Sequence, residues 1–190
     1  MSKNILEVLF GSRARLKILK FLFRNFPKAY TLREIINHCQ EKSAEISREL
    51  RKLADIGLIL RKPPRHGLNQ SFEYFTELRD LVLKSPPSEK HDLVVRINKL
   101  GKIKVAVISG VFLDKAINDP LAVDIFLVHD YLDKRKLTQF LKNVEAEIGT
   151  EIKFATMDKE EFKYRLAMFD RFVRVLFEGP HEKLINRLGL

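Results

Sequence analysis

Cysteine is nearly missing from this chain. Cys39 stands alone, so an internal disulfide is excluded and a cysteine-based metal site lacks its ligands. It neighbours His38, a pairing that reads as core packing at a helix end. The five histidines, His38, His66, His91, His129 and His181, are scattered without metal-ligand spacing. No apolar run reaches membrane-spanning length, and the N-terminus carries no signal-peptide pattern. A cytoplasmic location, away from membranes, is therefore expected. There is no Walker-type phosphate loop, no Ser/His/Asp set that spacing alone can assemble, no internal repeat and no long low-complexity tract. No cofactor, metal or catalytic residue is assigned.

What is present is charge and enough apolar residue for a core. The chain has 190 residues, 45% hydrophobic and 32% charged, with a formal net charge of +10. That length holds one large domain or two small ones. Residues 1–84 carry 17 Lys and Arg against 9 Asp and Glu, an excess of 8. Residues 85–190 carry 18 against 16, an excess of 2. A basic excess confined to one half is the electrostatic footprint of a phosphate-backbone partner. Basic proteins are common, so the asymmetry alone does not decide.

One stretch organises the first half. Ile46, Leu50, Leu53 and Ile56 recur at helical spacing and predict a helix over residues 43–56. Ser43 is expected to cap it and Gly57 to end it. Ser47, Arg48, Arg51 and Lys52 lie off the apolar stripe. Such groups suit phosphates and base edges in a major groove, although a charged face is often only a solvated one. Leu58–Lys62 reads as a strand, residues 63–70 as a polar turn, and Ser71–Phe75 as a second strand. Upstream, Ser12 is expected to cap a helix over 13–25, with Leu16, Leu19, Phe21, Leu22 and Phe23 inside. Arg13, Arg15, Lys17, Lys20 and Arg24 are placed outside. Residues 5–10 form an apolar lead-in. Thr31-Leu32-Arg33-Glu34 is a capping box that starts a helix through about His38.

Helix, helix, turn, helix and basic hairpin, over about residues 5–75, resembles the winged helix-turn-helix family of DNA-binding domains. The resemblance rests on Ser47-Arg48-Glu49-Leu50-Arg51-Lys52-Leu53-Ala54-Asp55-Ile56-Gly57-Leu58-Ile59. It implies a third helix that enters the major groove. Ser47 and Arg48 would then meet base edges, and Arg51, Lys52, Arg61 and Lys62 would meet phosphates. Arg65, His66 and Asn69 in the wing would reach a neighbouring groove or the backbone. Ser43 belongs to the same expected DNA-binding set.

A short helix over 77–84 and the break at Ser85-Pro86-Pro87-Ser88 place a domain boundary near residue 85. Beyond it, strands are expected at 103–110, 123–128 and 151–157, and helices at 91–100, 133–148 and 159–169. Residues 173–177 form an apolar segment before Glu178-Gly179-Pro180 turns the chain. That order predicts a small mixed-sheet α/β domain, and an α+β class for the whole chain.

The second half resembles the minimal nucleotidyltransferase domains. In that family a strand ends in a Gly-Ser turn that holds nucleotide phosphates, and a following strand carries two Asp that hold Mg²⁺. Here the turn reads Ile108-Ser109-Gly110, with Val111 where the family has Ser. Asp114-Lys115 stands where the family has Arg-Gly. The Asp pair falls on Ala122 and Asp124, and the third carboxylate position on Lys153. Ser109, Gly110 and Asp124 are thus the nucleotide-binding remnant of an eroded site.

The two halves together resemble a prokaryotic, largely archaeal type of transcriptional regulator. The resemblance implies sequence-specific binding to double-stranded DNA by a homodimer, with 1–84 as the DNA-binding domain and its linker helix. Residues 85–190 would form a non-catalytic domain for dimerisation or for sensing a nucleotide or other small effector. The rivals are a nucleotidyltransferase-type enzyme with an atypical site, and a module whose winged helix binds protein.

Overall fold

A computed structural model of the chain describes residues 5–84, 90–113 and 119–190, except the side chains of Arg61 and Lys62. The expected break at residues 85–88 and the Asp114-Lys115 pair lie outside the described residues. The fold is α+β. The chain divides into two compact units. One is Met1–Pro87 with Lys142–Thr150, and the other is Ser88–Leu141 with Glu151–Leu190. Sequence reading assigned all of 85–190 to one domain. The correction is the segment 142–150, which packs in the first unit: Arg24 Nε donates to the carbonyl of Ile148 at 2.8 Å, and Asn25 Nδ2 to that of Gly149 at 3.0 Å.

The first unit is built around α2 (Arg13–Arg24). Ser12 caps it, its side chain accepting from the Arg15 amide. Around α2 pack α1 (Ile5–Phe10), α3 (Leu32–Cys39), α4 (Ser43–Asp55) and α5 (Phe75–Lys84). The apolar lead-in is thus itself a helix. Leu16, Ile18, Leu19, Leu22, Ile35, Ile46, Leu50 and Leu58 form the centre of the core. Thr31 and Glu34 close the expected capping box at the start of α3.

Being surrounded on every side changes α2. Lys17 and Lys20, expected outside, are 5% and 3% exposed. Lys17 Nζ donates to the carbonyl of Cys39 at 3.0 Å and pairs with Glu41. Burial, reinforced by Arg24, lowers the Lys20 pKa to about 8, against opposing pulls from Glu147 and Glu7. A lysine whose folded pKa is depressed destabilises the fold below that value. The penalty is relieved as pH rises from about 8 toward the unfolded value near 10.5. Lys20→Met removes the charge and keeps the length. It should raise stability at pH 7 by about 2 kcal/mol, discounted for the lost attraction to Glu147, and by much less at pH 10.5. Urea unfolding at the two pH values checks this.

A three-stranded sheet completes the unit. Its strands are β1 (Tyr30–Thr31), β2 (Ile59–Lys62) and β3 (Arg65–Leu68), in the order β1-β3-β2. Lys62 pairs with Arg65 and Arg61 with His66, so Pro63 and Pro64 alone make the turn. The second strand therefore lies at 65–68, not at Ser71–Phe75, where sequence alternation put it. The two prolines carry no N–H and suit a turn. Past Asn69 the chain folds into turns that lead to α5, whose first residue, Phe75, is buried.

The second unit carries a four-stranded sheet. Its strands are β4 (Gly101–Ser109), β5 (Ile125–Leu132), β6 (Phe154–Asp158) and β7 (His181–Asn186), in the order β6-β5-β4-β7. β5 and β6 run parallel and the other pairs antiparallel. β4 and β5 are central, so Val105–Ile108 and Ile125–Val128 are buried on both faces and read as continuous apolar runs. Helices α6 (Lys90–Asn98), α7 (Lys134–Ile148, whose residues from Lys142 on belong to the first unit) and α8 (Lys159–Ala167) match the expected ones, and the apolar segment 173–177 lies in a helix that was not expected, α9 (Arg171–Glu178). β7 was not anticipated. It is an edge strand whose apolar residues, Leu184 and Ile185, do not alternate.

Candidate nucleic-acid interface

α4 sorts its residues by its period. Ile46, Glu49, Leu50 and Leu53 face the core, while Arg48, Arg51 and Lys52 are exposed and Ser47 is half-buried. Its start differs from expectation. The capping position is Lys42, which has no side-chain hydrogen bond, and Ser43 is the first helical residue. Ser43 is thus an exposed first-turn residue and not the cap. Gly57 follows the helix with φ +81°, a conformation that costs a residue with a Cβ.

The exposed basic side chains are not all equally available. Glu49 is 2% exposed. Its carboxylate accepts from Arg15 Nε at 2.7 Å and from Lys52 Nζ at 3.1 Å, with Arg48 Nε at 4.0 Å. Burial alone would raise the Glu49 pKa. The hydrogen bonds and charges of Arg15 and Lys52 outweigh it and leave the carboxyl below its ordinary value. Glu49 was not singled out from the sequence, although its place three residues after Ile46 and four before Leu53 puts it in the apolar stripe. Arg15, its partner 34 residues away, could not be found from spacing at all.

Three of the expected residues meet. Ser47 and Arg51 of α4, with His66 of β3, line a cleft of about 190 Å³ whose other walls are Leu32 and Leu50. Arg65 stands one strand residue away, at the hairpin turn. It donates to the carbonyl of Ala29 at 2.9 Å and lies 3.9 Å from Glu34. Arg61 and Lys62 share that hairpin by register, but their side chains lie outside the described residues. Asn69 departs from its expected part. Its Nδ2 donates to the carbonyl of Gly57 at 2.8 Å and its Oδ1 accepts from the Ser71 amide at 3.1 Å. The side chain ties the end of β3 to the end of α4.

In the second unit Ser109, Gly110 and Asp124 also come together, around one another. Asp124 is 9% exposed. Its Oδ1 accepts from the Val111 amide at 3.0 Å and its Oδ2 from the Lys153 amide at 2.9 Å. Ser109 Oγ donates to the carbonyl of Val123. Gly110 has φ +53°, and a Cβ there would sit 2.2 Å from Asp124 Oδ1. The aspartate therefore fills the space that the glycine leaves, and the amide after the turn donates to it. Among the described residues no group of three or more His, Cys, Asp or Glu is placed to hold a metal. Cys39 is fully buried and burial pushes its thiol up to about 12, so it is a core residue without thiolate chemistry. His38 stacks on Phe21 at 4.1 Å between ring centroids.

No helix among the described residues is long and apolar enough to cross a membrane. No family model matches the chain, and no curated protein or solved structure matches it either.

Proposed function

We propose that this protein is a sequence-specific DNA-binding transcriptional regulator. In this reading its first unit is a winged helix that acts as a homodimer in the cytoplasm. The second unit is a nucleotidyltransferase-like domain without catalysis, kept for dimerisation or for sensing a nucleotide or other small effector. The observation that carries the reading is the pairing of α4, with Ser47, Arg48, Arg51 and Lys52 off its buried face, with a tight basic hairpin beside it.

The physical division of labour follows from exposure and partners. Arg48 is 65% exposed, against 54% for Lys52, with a 4.0 Å approach to Glu49, and it reads base edges. Arg51, Lys52 and Arg65 neutralise phosphates, with Lys52 discounted by its bond to Glu49, and Arg61 and Lys62 join them by their place on the hairpin backbone. Ser47 and His66 line the cleft between helix and hairpin and set how closely a backbone approaches. Asn69 is withdrawn from the contact set and positions the hairpin. The inward-facing Asp124 supports the absence of metal-dependent transfer, because its carboxylate is engaged by two backbone amides.

Neutralising four to five phosphates per chain, eight to ten per homodimer, gives a log–log salt slope near −8, so affinity should fall roughly 10⁴–10⁵-fold between 50 and 200 mM salt. Arg48→Ala should cost about 1–3 kcal/mol on the preferred site and little on random duplex. Arg65→Ala should weaken both alike. Binding of the chain to genomic duplex fragments at two salt concentrations, with and without nucleoside triphosphates, tests this. Salt-insensitive binding, or equal loss on all sequences for Arg48→Ala, would overturn the docking. Metal-dependent label transfer from a triphosphate would overturn the non-catalytic assignment.

A further inference from the structure

The first unit has a groove on the other flank of α4 that shares only Lys52 with the proposed DNA contacts. It measures about 500 Å³, in the range of sites for small ligands. Eight of its ten lining residues are apolar or aromatic, among them Ile56, Phe72, Tyr74 and Leu78, and the remaining two are Arg15 and Lys52. Ile56 and Tyr74 at its mouth are 61% and 57% exposed. Glu49, which bonds both cations, is not part of the lining. Arg15 and Lys52 share that one carboxylate, so the groove presents two cations with a net excess of one positive charge at an otherwise apolar wall.

We propose that this groove binds an amphiphilic monocarboxylate, an aliphatic or aromatic acid with a body of roughly ten carbons. The body would lie against Ile56, Phe72, Tyr74 and Leu78. The carboxylate would take the N–H donors of Arg15 and Lys52 that Glu49 leaves available, as a second carboxylate on the same two cations. Charge complementarity argues for this occupant. A monocarboxylate balances the one positive charge that Glu49 leaves over, whereas a neutral apolar molecule would leave that excess facing hydrocarbon and a cation would be repelled.

A consequence, which rests on the DNA-binding reading, is linkage. Lys52 also belongs to the phosphate-contacting set, so a carboxylate that holds it in the groove competes with DNA for it. By reciprocity the ligand weakens operator binding as much as DNA weakens ligand binding.

Calorimetric titration of the full chain with decanoate, decan-1-ol and decyltrimethylammonium separates the alternatives without DNA. One saturable decanoate site, at least tenfold tighter than either control, is the expected result. Ile56→Glu, at an exposed position, places a carboxylate before the two cations and should weaken decanoate at least tenfold while the chain keeps its circular dichroism. Equal binding of decanoate and decan-1-ol, or none by either, would overturn the proposal. So would a dimer that Ile56→Glu splits, with no decanoate bound, because a second copy would then be the occupant. Operator affinity falling about fivefold or more with saturating decanoate supports the linkage. Unchanged affinity overturns the linkage alone, and absence of any operator binding overturns the DNA-binding reading while leaving the titration intact.

Discussion

Glu49→Ala should destabilise the first unit by about 3 kcal/mol. The carboxylate is buried, and it holds Arg15 at 2.7 Å and Lys52 at 3.1 Å. Removing one member of a buried ion pair costs about 3–5 kcal/mol, because the other charge stays behind without a partner. The lower end applies here. Arg15 is 25% and Lys52 54% exposed, so water recovers part of the loss. Arg15 also keeps its bond to the carbonyl of Phe10 at 2.8 Å. Glu49→Gln retains the volume and one acceptor and should cost about a third as much. The urea midpoint of the three proteins ranks them.

Acid gives a second readout of the same group. The folded Glu49 carboxyl lies below its ordinary value, so its contribution is fully present above the unfolded carboxyl range near pH 4.3. It is lost as pH falls through the lower folded value. The stability difference between the natural chain and Glu49→Gln should therefore shrink on acidification below about pH 4. The effect on DNA has the opposite sign. Without Glu49, Lys52 and Arg48 carry their full charge to the surface, so binding to random duplex should tighten severalfold while the fold weakens. A variant that loses stability and DNA affinity together would show that Glu49 organises the surface and does not merely mask it.

Asp124→Ala should cost the second unit about 3 kcal/mol. Two part-buried amides, those of Val111 and Lys153, lose their acceptor, and a buried donor left unsatisfied costs about 1–3 kcal/mol, the lower half applying where water has partial access. Asp124→Asn should cost about 2 kcal/mol, since one of its two termini would present a donor to a donor. Gly110→Ala should be costly as well, because its Cβ would lie 2.2 Å from Asp124 Oδ1 at φ +53°. The double variant should cost less than the sum of the two, because removing the carboxylate relieves the clash. A carboxylate held for metal or nucleotide behaves differently. Its removal abolishes ligand binding and often leaves stability unchanged or improved. A stable Asp124→Ala chain would overturn the bracing part assigned to this residue.

Two sequence positions show where reading from spacing stops. Lys17 and Lys20 fall on the polar side of an amphipathic pattern, yet every residue of α2 from Leu16 to Phe23 is buried, because α1, α3, α4 and α5 pack around it. Periodicity reports polarity, and burial depends on how many neighbours arrive. The hairpin shows the reverse error. Phe72-Glu73-Tyr74 alternates as a strand does, but the two prolines at 63–64 already turn the chain, so β3 forms at Arg65–Leu68 and the alternating residues end in turns.

The sequence by itself determined the α+β class, the order of most elements, the capping box at Thr31 and Glu34, the Ser12 cap, the stop at Gly57 and the polar face of α4. Each depends on residues within about four positions of one another, where helical geometry and backbone hydrogen bonding act directly. Only the tertiary structure decided the Arg15–Glu49–Lys52 cluster, the tie of Asn69 to the carbonyl of Gly57 and the inward turn of Asp124. It also decided the packing of 142–150 in the first unit and the edge strand β7. These join residues between 12 and 124 positions apart. Nothing local in the chain specifies which donor will stand beside which acceptor until the core has brought them together.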